Sequence, residues 1–304
     1  MTTTPATNNR AVSKSVLITG CSTGIGRATA EHFVNKGWTT YATARKPETL
    51  AGLEALGCRT LALDVLDEAS MADAVKQVEA EEGAVGVLVN NAGYSQMGPI
   101  EEVSMDDVRR QFDTNVFGLV RMSQLVLPGM RAQGWGRIIN ISSMGGKVVF
   151  PGMGFYHGTK FAVEAISDAM RFETRGFGVK VVLVEPGLIK TAFADTATGH
   201  TASDHPEGSP YIQFMEGVEK QTVGGYEGAM GVFATGPETV AKVIERAARV
   251  QRPRARYVVT AAAKMIHVTK TVLPDAGWDL SMRTQFPSPK PAAADGSAKV
   301  PVGA

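Results

Sequence analysis

Short apolar runs alternate with amphipathic stretches along most of the chain. Seven runs have the length and character of strands, and they cover residues 15–19, 38–44, 58–63, 86–90, 136–142, 179–185 and 255–260. Between them, apolar side chains recur at helical spacing in residues 30–37, 67–82, 106–130, 156–175 and 236–250. The stretch 106–130 is expected to be interrupted near Asn115 and Gly118. Strands that alternate with helices in this way predict an α/β fold, with a parallel sheet covered by helices on both faces.

No linker or shift in composition divides the chain into two domains. We therefore expect a single domain over residues 14–286, preceded by a polar, mobile segment at residues 1–13. The stretch at about 192–235 is long, glycine-rich and without a strong strand pattern, so it is predicted to be a lid over a substrate. Proline, alanine and small polar residues dominate residues 287–304, which predicts a disordered tail.

A glycine-rich turn joins the first predicted strand to the first helix. Gly20, Gly24 and Gly26 stand in the sequence Gly-Cys-Ser-Thr-Gly-Ile-Gly, directly after the apolar run at 15–19. Glycines let the backbone approach a ligand closely, and the N-terminus of a helix attracts negative charge. This context favours a bound pyrophosphate. A tight turn that binds no ligand is the alternative.

The end of the second strand bears on the choice of nucleotide. An acid about 20 positions after the glycines would accept a hydrogen bond from a free ribose 2′-hydroxyl. Residues 40–46 contain no acid, and Arg45 and Lys46 end this stretch instead. A guanidinium can hold a phosphate with two hydrogen bonds, so the pattern predicts NADP(H) rather than NAD(H). The alternative is that two basic residues merely end a strand at the surface.

Polar and small residues also follow the third and fourth strands. Asp64 could accept a hydrogen bond from the amino group of adenine, or it could cap the helix that follows. Asn91, Ala92 and Gly93 end the fourth strand, where a side-chain amide and small residues suit a cofactor that lies close to the backbone.

Tyr156 and Lys160 stand four residues apart in a predicted helix, so their side chains share one face. A free phenol has a pKa of about 10, and lowering it by ~3 units takes ~4 kcal/mol. One positive charge at ~4 Å, in an effective dielectric constant of ~20, supplies about that free energy. The pair is therefore a candidate general acid and base. The same spacing also occurs by chance on surface helices, so the assignment depends on the other motifs.

Composition argues against several other classes of function. The chain has 304 residues, of which 44% are hydrophobic and 20% charged, and its net charge is +1. Without a basic run, no nucleic-acid partner is expected. Cys21 and Cys58 form no metal-ligand motif, so no metal site is expected, and two distant cysteines indicate reduced thiols in the cytoplasm. The first ten residues lack an apolar core and no apolar run approaches ~18 residues, so neither a secretory signal nor a membrane span is predicted.

Taken together, the motifs resemble those of the short-chain dehydrogenase/reductase family over about residues 14–192 and in the last helix and strand. The motifs that carry the resemblance are Thr19 to Gly26, Asn90 to Gly93, Asn115, Ile141 to Ser143, Tyr156 with Lys160, and Pro186-Gly187 with Thr191. The resemblance implies a Rossmann-type, doubly wound sheet of seven parallel strands. It also implies an enzyme that transfers a hydride between a nicotinamide cofactor and a carbonyl or alcohol.

The resemblance further implies a role for each matching residue. Tyr156 would exchange a proton with the substrate oxygen, Lys160 would hold the nicotinamide ribose and lower the pKa of the tyrosine, and Asn115 would hold a water in a proton relay. Ser143 stands thirteen positions before Tyr156, the family's usual spacing, and would donate to the reacting carbonyl in preference to Ser142. Alternation along a strand also lets only one of these serines face the site. The cofactor would be bound by Gly20, Ser22, Thr23, Gly24, Ile25, Gly26, Arg45, Asp64, Val65, Asn91, Ala92, Gly93, Tyr156, Lys160, Pro186, Gly187, Ile189 and Thr191.

The stretches 20–24 and 41–45 look closest to the branch that contains steroid and retinol dehydrogenases, which implies a lipophilic ketone, aldehyde or secondary alcohol as substrate. Two other functions stay open. A non-catalytic NADP-binding sensor would need only the nucleotide site, and an epimerase or dehydratase would share the Tyr-x-x-x-Lys unit.

Small residues on one face of the helix at 156–175, together with the family's habit, predict a homodimer or homotetramer through paired helices; they are Ala162, Ala165, Ile166 and Ala169.

Overall fold

The computed structural model describes residues 13–191, 208–227 and 233–289, and seven strands of this part form one parallel sheet. Their order across the sheet is β3-β2-β1-β4-β5-β6-β7. The strands are β1 Ser15–Ile18, β2 Thr39–Ala44, β3 Arg59–Ala62, β4 Val87–Asn90, β5 Gly136–Ile141, β6 Val179–Glu185 and β7 Arg256–Val258. The predicted parallel α/β sheet is confirmed, and each predicted strand has a counterpart.

The direction in which the sheet grows reverses between β1 and β4. From β1 the chain moves outward to β2 and β3, and it then returns to the other side of β1 and continues through β4 to β7. The turns that follow β1 and β4 therefore lead away from each other. Such a reversal opens a crevice at the carboxyl ends of the strands, where ligands of this kind of fold bind.

Helices cover both faces of the sheet because its central strands are apolar on both sides. The helices are α1 Gly24–Asn35, α2 Ala51–Ala55, α3 Glu68–Glu82, α4 Met105–Phe112, α5 Gly118–Gln133, α6 Gly154–Glu173, α7 Ile212–Glu227, α8 Pro237–Arg249, α9 Ala261–Val272 and α10 Asp275–Gln285. Phe33 of α1 and Ile244 of α8 pack in the core on one face. Met71 of α3 and Met122 of α5 pack in the core on the other. None of the described helices has the length and apolar character that crossing a membrane requires.

A π-helical turn at Asp113–Phe117 separates α4 from α5. The predicted interruption near Asn115 and Gly118 is therefore confirmed. Gly118 begins α5 against the loop after β3, and a Cβ there would lie 2.7 Å from the carbonyl oxygen of Val65. A π-turn adds one residue to the helix, and here Asn115 is buried within it.

Three helices in the C-terminal part were missed by the sequence pattern. α7 lies inside the predicted lid, and α9 and α10 follow the last strand. Glycines at 217, 224 and 225 weaken the helical signal of α7, and α9 begins with three alanines rather than an apolar stripe. The rest of the predicted lid at 192–207 and 228–232 lies outside the described residues. So do residues 1–12 of the predicted mobile segment and residues 290–304 of the predicted tail.

Candidate functional site

A cavity of about 870 Å³ opens at the carboxyl edge of the sheet. Its walls come from the segments that follow β1 to β6 and from the C-terminal helices. The predicted site residues that line it are Gly20, Ser22, Thr23, Gly24, Ile25, Arg45, Asp64, Val65, Asn91, Ala92, Gly93, Ser143, Tyr156, Lys160, Pro186, Gly187, Ile189 and Thr191. Gly26 and Asn115 are not among the lining residues. The topology thus brings together residues that are as far apart as 20 and 191 in the sequence.

The glycine turn after β1 is shaped so that a ligand can approach its backbone. Gly20 has a φ of +74° and Gly24 a φ of +60°, values that residues with a Cβ rarely adopt. Thr23 caps α1 without a hydrogen bond from its side chain, so this cap leaves backbone N–H groups of the first turn without a side-chain acceptor. Those groups, together with the positive end of the helix dipole, suit the pyrophosphate of a dinucleotide. Thr191 packs over the same turn, 3.5 Å from the position of a Cβ on Gly24.

Gly26 shapes the turn from behind rather than lining the cavity. A Cβ at this position would lie 2.2 Å from the carbonyl oxygen of Gly20 and 2.5 Å from Nδ2 of Asn91. Asn91 holds the turn in place, because its Nδ2 donates to the carbonyl oxygens of Thr19 and Gly20 at 2.9 and 3.0 Å. The absence of a side chain at Gly26 therefore lets helix α1 pack against the turn that it supports.

The ends of β2 and β3 border the part of the cavity where an adenosine would lie. Arg45 is exposed and lines the cavity, as does Asp64. Asp64 accepts a hydrogen bond from the backbone N–H of Leu66 at 3.0 Å, within its own loop. The cap of α3 is instead Asp67, which accepts from the N–H groups of Ala69 and Ser70. The alternative that Asp64 caps the helix is therefore wrong.

Lys160 is buried beside Tyr156 at the inner end of the cavity. Its ammonium donates to the carbonyl oxygen of Ile141 at 2.9 Å and lies 5.8 Å from the centre of the Tyr156 ring. Burial lowers the pKa of Lys160 to about 8, and the negative charge of Glu164 acts in the opposite direction. Tyr156 itself is buried and lines the cavity. A cation held this close favours the charged form of a phenol, which is the condition for acid–base work near neutral pH.

Ser142 and Ser143 both border the cavity. Because β5 ends at Ile141, the serines lie beyond the strand and the alternation that would separate them no longer applies. Oγ of Ser143 accepts from the backbone N–H of Gly145 at 3.0 Å and caps a short 3₁₀ turn at Met144–Gly146. Its hydroxyl proton remains available for donation, since that contact uses only the oxygen.

Asn115 cross-links the elements behind Tyr156. Its Nδ2 donates to the carbonyl oxygen of Tyr94 at 2.8 Å and to Oγ1 of Thr159 at 3.1 Å. Its Oδ1 accepts from the N–H of Tyr94 at 3.0 Å. The π-turn thus ties the loop after β4 to helix α6, on which Tyr156 and Lys160 stand.

Several lining residues are not among the predicted site residues. His157 lines the cavity, and burial lowers its pKa to about 4, so the imidazole is neutral near pH 7. Its Nδ1 accepts from the N–H of Phe150 at 3.2 Å. Ile266 of α9 and Phe286 after α10 close the cavity from the C-terminal side. Ala262 and Ala263 are buried and Ile266 is half-buried on one face of α9, and because two of these three are alanines the periodic signal of this helix is weak.

An apolar cluster adjoins the outer part of the cavity. Met97, Met215 and Val218 are buried there, and Met153 and Phe286 pack against them. Met153 and Phe286 also line the cavity. Helix α7 therefore joins the outer part of the cavity through apolar contacts, whereas the glycine turn supplies mainly backbone groups.

Comparison with known proteins gives consistent matches over most of the chain. A model of the short chain dehydrogenase family matches residues 14–201. The chain is 35% identical over 266 residues to the uncharacterized oxidoreductase YbbO of Escherichia coli (strain K12), a match that covers 87% of this chain and 92% of that protein. It is 39% identical over 208 residues to a 3-ketodihydrosphingosine reductase of Bacteroides thetaiotaomicron, which covers 68% of this chain and 76% of that protein. It is 34% identical over 270 residues to an NADPH-dependent 3-dehydrocapnine reductase of Ornithobacterium rhinotracheale, which covers 85% and 92%.

Solved structures agree with these matches. A short-chain dehydrogenase from Streptomyces avermitilis superimposes with a TM-score of 0.74 at 30% identity, over 90% of this chain and 96% of that one. The closed form of a serine dehydrogenase complexed with NADP⁺ superimposes with a TM-score of 0.70 at 29% identity, over 82% and 95%.

The close packing at Gly26 gives a test of the glycine turn. Gly26→Ala places a methyl group against the Gly20 carbonyl and the Asn91 amide, so we expect a loss of about 1–3 kcal/mol in the free energy of unfolding and weaker NADPH binding. Urea unfolding and a fluorescence titration with NADPH measure the two effects. Gly176→Ala is the matched control, because a Cβ there meets no atom within 4 Å. Equal effects of the two substitutions would contradict the role given to Gly26.

Proposed function

The chain belongs to the short chain dehydrogenase family, and from that premise we propose that it transfers a hydride between NADP(H) and a lipophilic ketone, aldehyde or secondary alcohol. That it is an NAD(P)-dependent dehydrogenase or reductase follows from the family and from the relatives named as oxidoreductases and reductases. One observation carries the proposal. A buried ammonium and a phenol lie side by side in the cavity that the glycine turn borders.

The residues of the chain would divide the chemistry among them. The bound nicotinamide supplies or accepts the hydride. We propose that Tyr156 exchanges the proton with the substrate oxygen, and that Ser143 donates a hydrogen bond to the same oxygen as negative charge develops on it. The cationic Lys160 would hold the nicotinamide ribose and favour the ionised form of Tyr156. Asn115 lies behind this pair, where its side chain donates to Tyr94 and Thr159. We propose that it holds a water in the proton relay.

Preference for NADP(H) over NAD(H) is the finer part of the cofactor proposal. Arg45 borders the cavity at the end of β2, and residues 40–46 offer no carboxylate that would repel a 2′-phosphate. One relative is named as NADPH-dependent, and one structural neighbour was solved with NADP⁺. Both facts support NADP(H).

The apolar outer wall supports a lipophilic substrate. Met153, Ile266 and Phe286 line this side of the cavity, and His157 is neutral near pH 7. A relative named for a 3-keto substrate acts as a reductase, which agrees with a carbonyl as the reacting group. The alternatives of a sensor and of an epimerase or dehydratase gain no support from the names of the relatives, which are those of oxidoreductases and reductases.

A homodimer or homotetramer remains part of the proposal. The outer face of α6 exposes Phe161, Ala165, Ala169 and Phe172, and Phe117 of the neighbouring π-turn is also exposed. Of the four small residues predicted to share a packing face, Ala162 and Ile166 pack against the protein's own core instead. A stripe of exposed aromatic and small side chains along a helix suits contact with the same helix of a second copy.

The cytoplasm is the compartment that we propose. Cys21 and Cys58 are both buried and form no disulfide. Burial raises the pKa of the Cys21 thiol to about 12, so it is inert as a nucleophile and suits a reducing compartment.

Removal of the phenol tests the acid–base assignment. Tyr156→Phe should lower kcat by roughly 100- to 10,000-fold, while the dissociation constant for NADPH stays within about threefold of that of the wild type. A panel of ketones and aldehydes is followed at the nicotinamide absorbance. Tyr257→Phe on β7, outside the cavity lining, is the control. Substantial turnover by the Tyr156 variant would overturn the assignment.

The nucleotide preference can be tested at two adjacent basic residues. Arg45→Gln should raise the KM for NADPH roughly 10- to 100-fold with little change for NADH, because a charged hydrogen bond to a phosphate is lost. Lys46→Gln is the control, since Lys46 does not line the cavity. Equal use of NADPH and NADH by the wild type would refute the preference.

The exposed stripe on α6 generates a test of assembly. The wild type should behave as a dimer or tetramer in light scattering at micromolar concentration, and Phe172→Asp should shift it to smaller species because a carboxylate cannot be buried without a partner. Phe172 is 65% exposed. Leu56, at the end of α2, is 49% exposed, so Leu56→Asp serves as the control. A monomeric wild type would contradict this part of the proposal.

A further inference from the structure

Two buried carboxyl groups meet directly behind the cavity wall. Glu164 stands one helical turn after Lys160 on α6, and Glu185 is the last residue of β6, just before Pro186. Their side chains are 5% and 1% exposed. Two carboxylates at this depth would repel each other and would each lack hydration, so their contact needs an explanation.

The cations around the pair are positioned mainly toward Glu164. Its Oε2 forms ion pairs with Nζ of Lys147 at 3.0 Å and with Nε of Arg256 at 2.9 Å. The contacts of Glu185 with basic side chains of the described residues are longer, with Nε of Arg256 at 3.3 Å and Nδ1 of His267 at 3.6 Å. The surroundings therefore favour a negative charge on Glu164 more than on Glu185.

The hydrogen-bond pattern shows what is missing between the two side chains. Oε1 of Glu164 and Oε1 of Glu185 are both buried and make no hydrogen bond, although Nε of Arg256 lies 3.3 Å from Oε1 of Glu185. A proton on one of the two carboxyl groups would turn that group from an acceptor into a donor toward the other. We propose that Glu164 and Glu185 share one proton, with the negative charge kept on Glu164, and that the pair is a positioning device that holds Lys160 in its cationic form.

The protonation behaviour of the neighbours agrees with this geometry. Burial, and next the charge of Glu164, raises the pKa of Glu185 to about 7. Burial also lowers the pKa of Lys160, and Glu164 is the group that opposes this effect. Without the charge on Glu164, the ammonium would lose its proton at a lower pH.

Charged and titratable groups from several elements surround the pair. Asp168 on α6 takes the other end of the Arg256 guanidinium, at 2.6 Å, and so orients it toward Glu164. His267 on α9 is the nearest titratable group of the C-terminal helices. Burial lowers its pKa, so the imidazole is neutral near pH 7 and does not take the shared proton from the two carboxyl groups. Within residues 13–191, 208–227 and 233–289, these groups are Lys147 beside the 3₁₀ turn, Lys160 and Asp168 on α6, Arg256 on β7 and His267 on α9.

The pair also braces the segment that carries Ser143. A Cβ on Gly146 would lie 3.0 Å from Cγ of Glu164 and 2.7 Å from Oγ of Ser142, so this segment packs directly on the acid. Nε2 of His267 lies 3.3 Å from the carbonyl oxygen of Met144, on the opposite side of the same segment. The segment that carries Ser143 thus packs on Glu164, and the catalytic meaning of Ser143 and Lys160 rests on the proposed function.

The pH dependence of turnover tests the charge on Glu164. Glu164→Gln should move the alkaline limb of the kcat profile for carbonyl reduction down by about one pH unit, because removing a buried negative charge eases proton loss from the lysine–tyrosine pair. Glu164→Asp, which restores a carboxylate, should return the limb toward its wild-type position. Glu173→Gln, an exposed acid at the end of α6, is the matched control. An unmoved limb in a folded Glu164→Gln protein would overturn the proposal.

The shared proton can be observed without turnover and in the wild type. Infrared spectra should contain a protonated-carboxyl band that disappears as the pH rises through about 7, and Glu185→Gln should lack it. Absence of the band in the wild type, or its survival in Glu185→Gln, would refute the proton-sharing pair even if Glu164→Gln fails to fold. Failure of the proposed function is a separate outcome, seen as no turnover by the wild type with any carbonyl while the band is still present.

Discussion

The burial of one cation is the constraint on which the site depends. An ammonium that leaves water needs compensation from hydrogen bonds and nearby negative charge, and Lys160 obtains it from the Ile141 carbonyl and from Glu164. The end of β5 and the register of α6 must therefore match each other closely. Tyr156 lies beside the amine because both side chains extend from the same helical face.

The two sides of the cavity are built from different kinds of contact. On the glycine-turn side, the amide of Asn91 donates to the carbonyl oxygen of Gly20, and the hydroxyl of Thr19 accepts from the backbone N–H of Asn91 in the loop after β4. On the other side, apolar side chains from α7, α9 and the residues after α10 meet Met97 and Met153. The first side recognises a ligand of constant chemistry, whereas the second can change its shape by changing side chains.

Most of the fold and the nucleotide side could be predicted from the sequence, because parallel strands and their glycine turn depend on local patterns. The interruption at Asn115 was predicted for the same reason, since an amide within an apolar helix needs a partner. The C-terminal helices were missed because their alanines and glycines leave little periodic signal. The partners of Glu164 could not be predicted at all, as they come from positions 147, 185 and 256, which only the tertiary fold brings together.

The division of the cavity wall along the chain has a consequence for how such enzymes diversify. Residues up to 191 would furnish the proposed dinucleotide cradle and the reacting side chains, while segments from 221 onward furnish much of the opposite wall, together with Met153. Recombination at a single crossover between these parts would combine a new substrate-binding wall with the same proposed catalytic residues. Such a chimera would have to preserve the contacts of His267 with the carbonyl oxygen of Met144 and with Glu185, because they join the two parts.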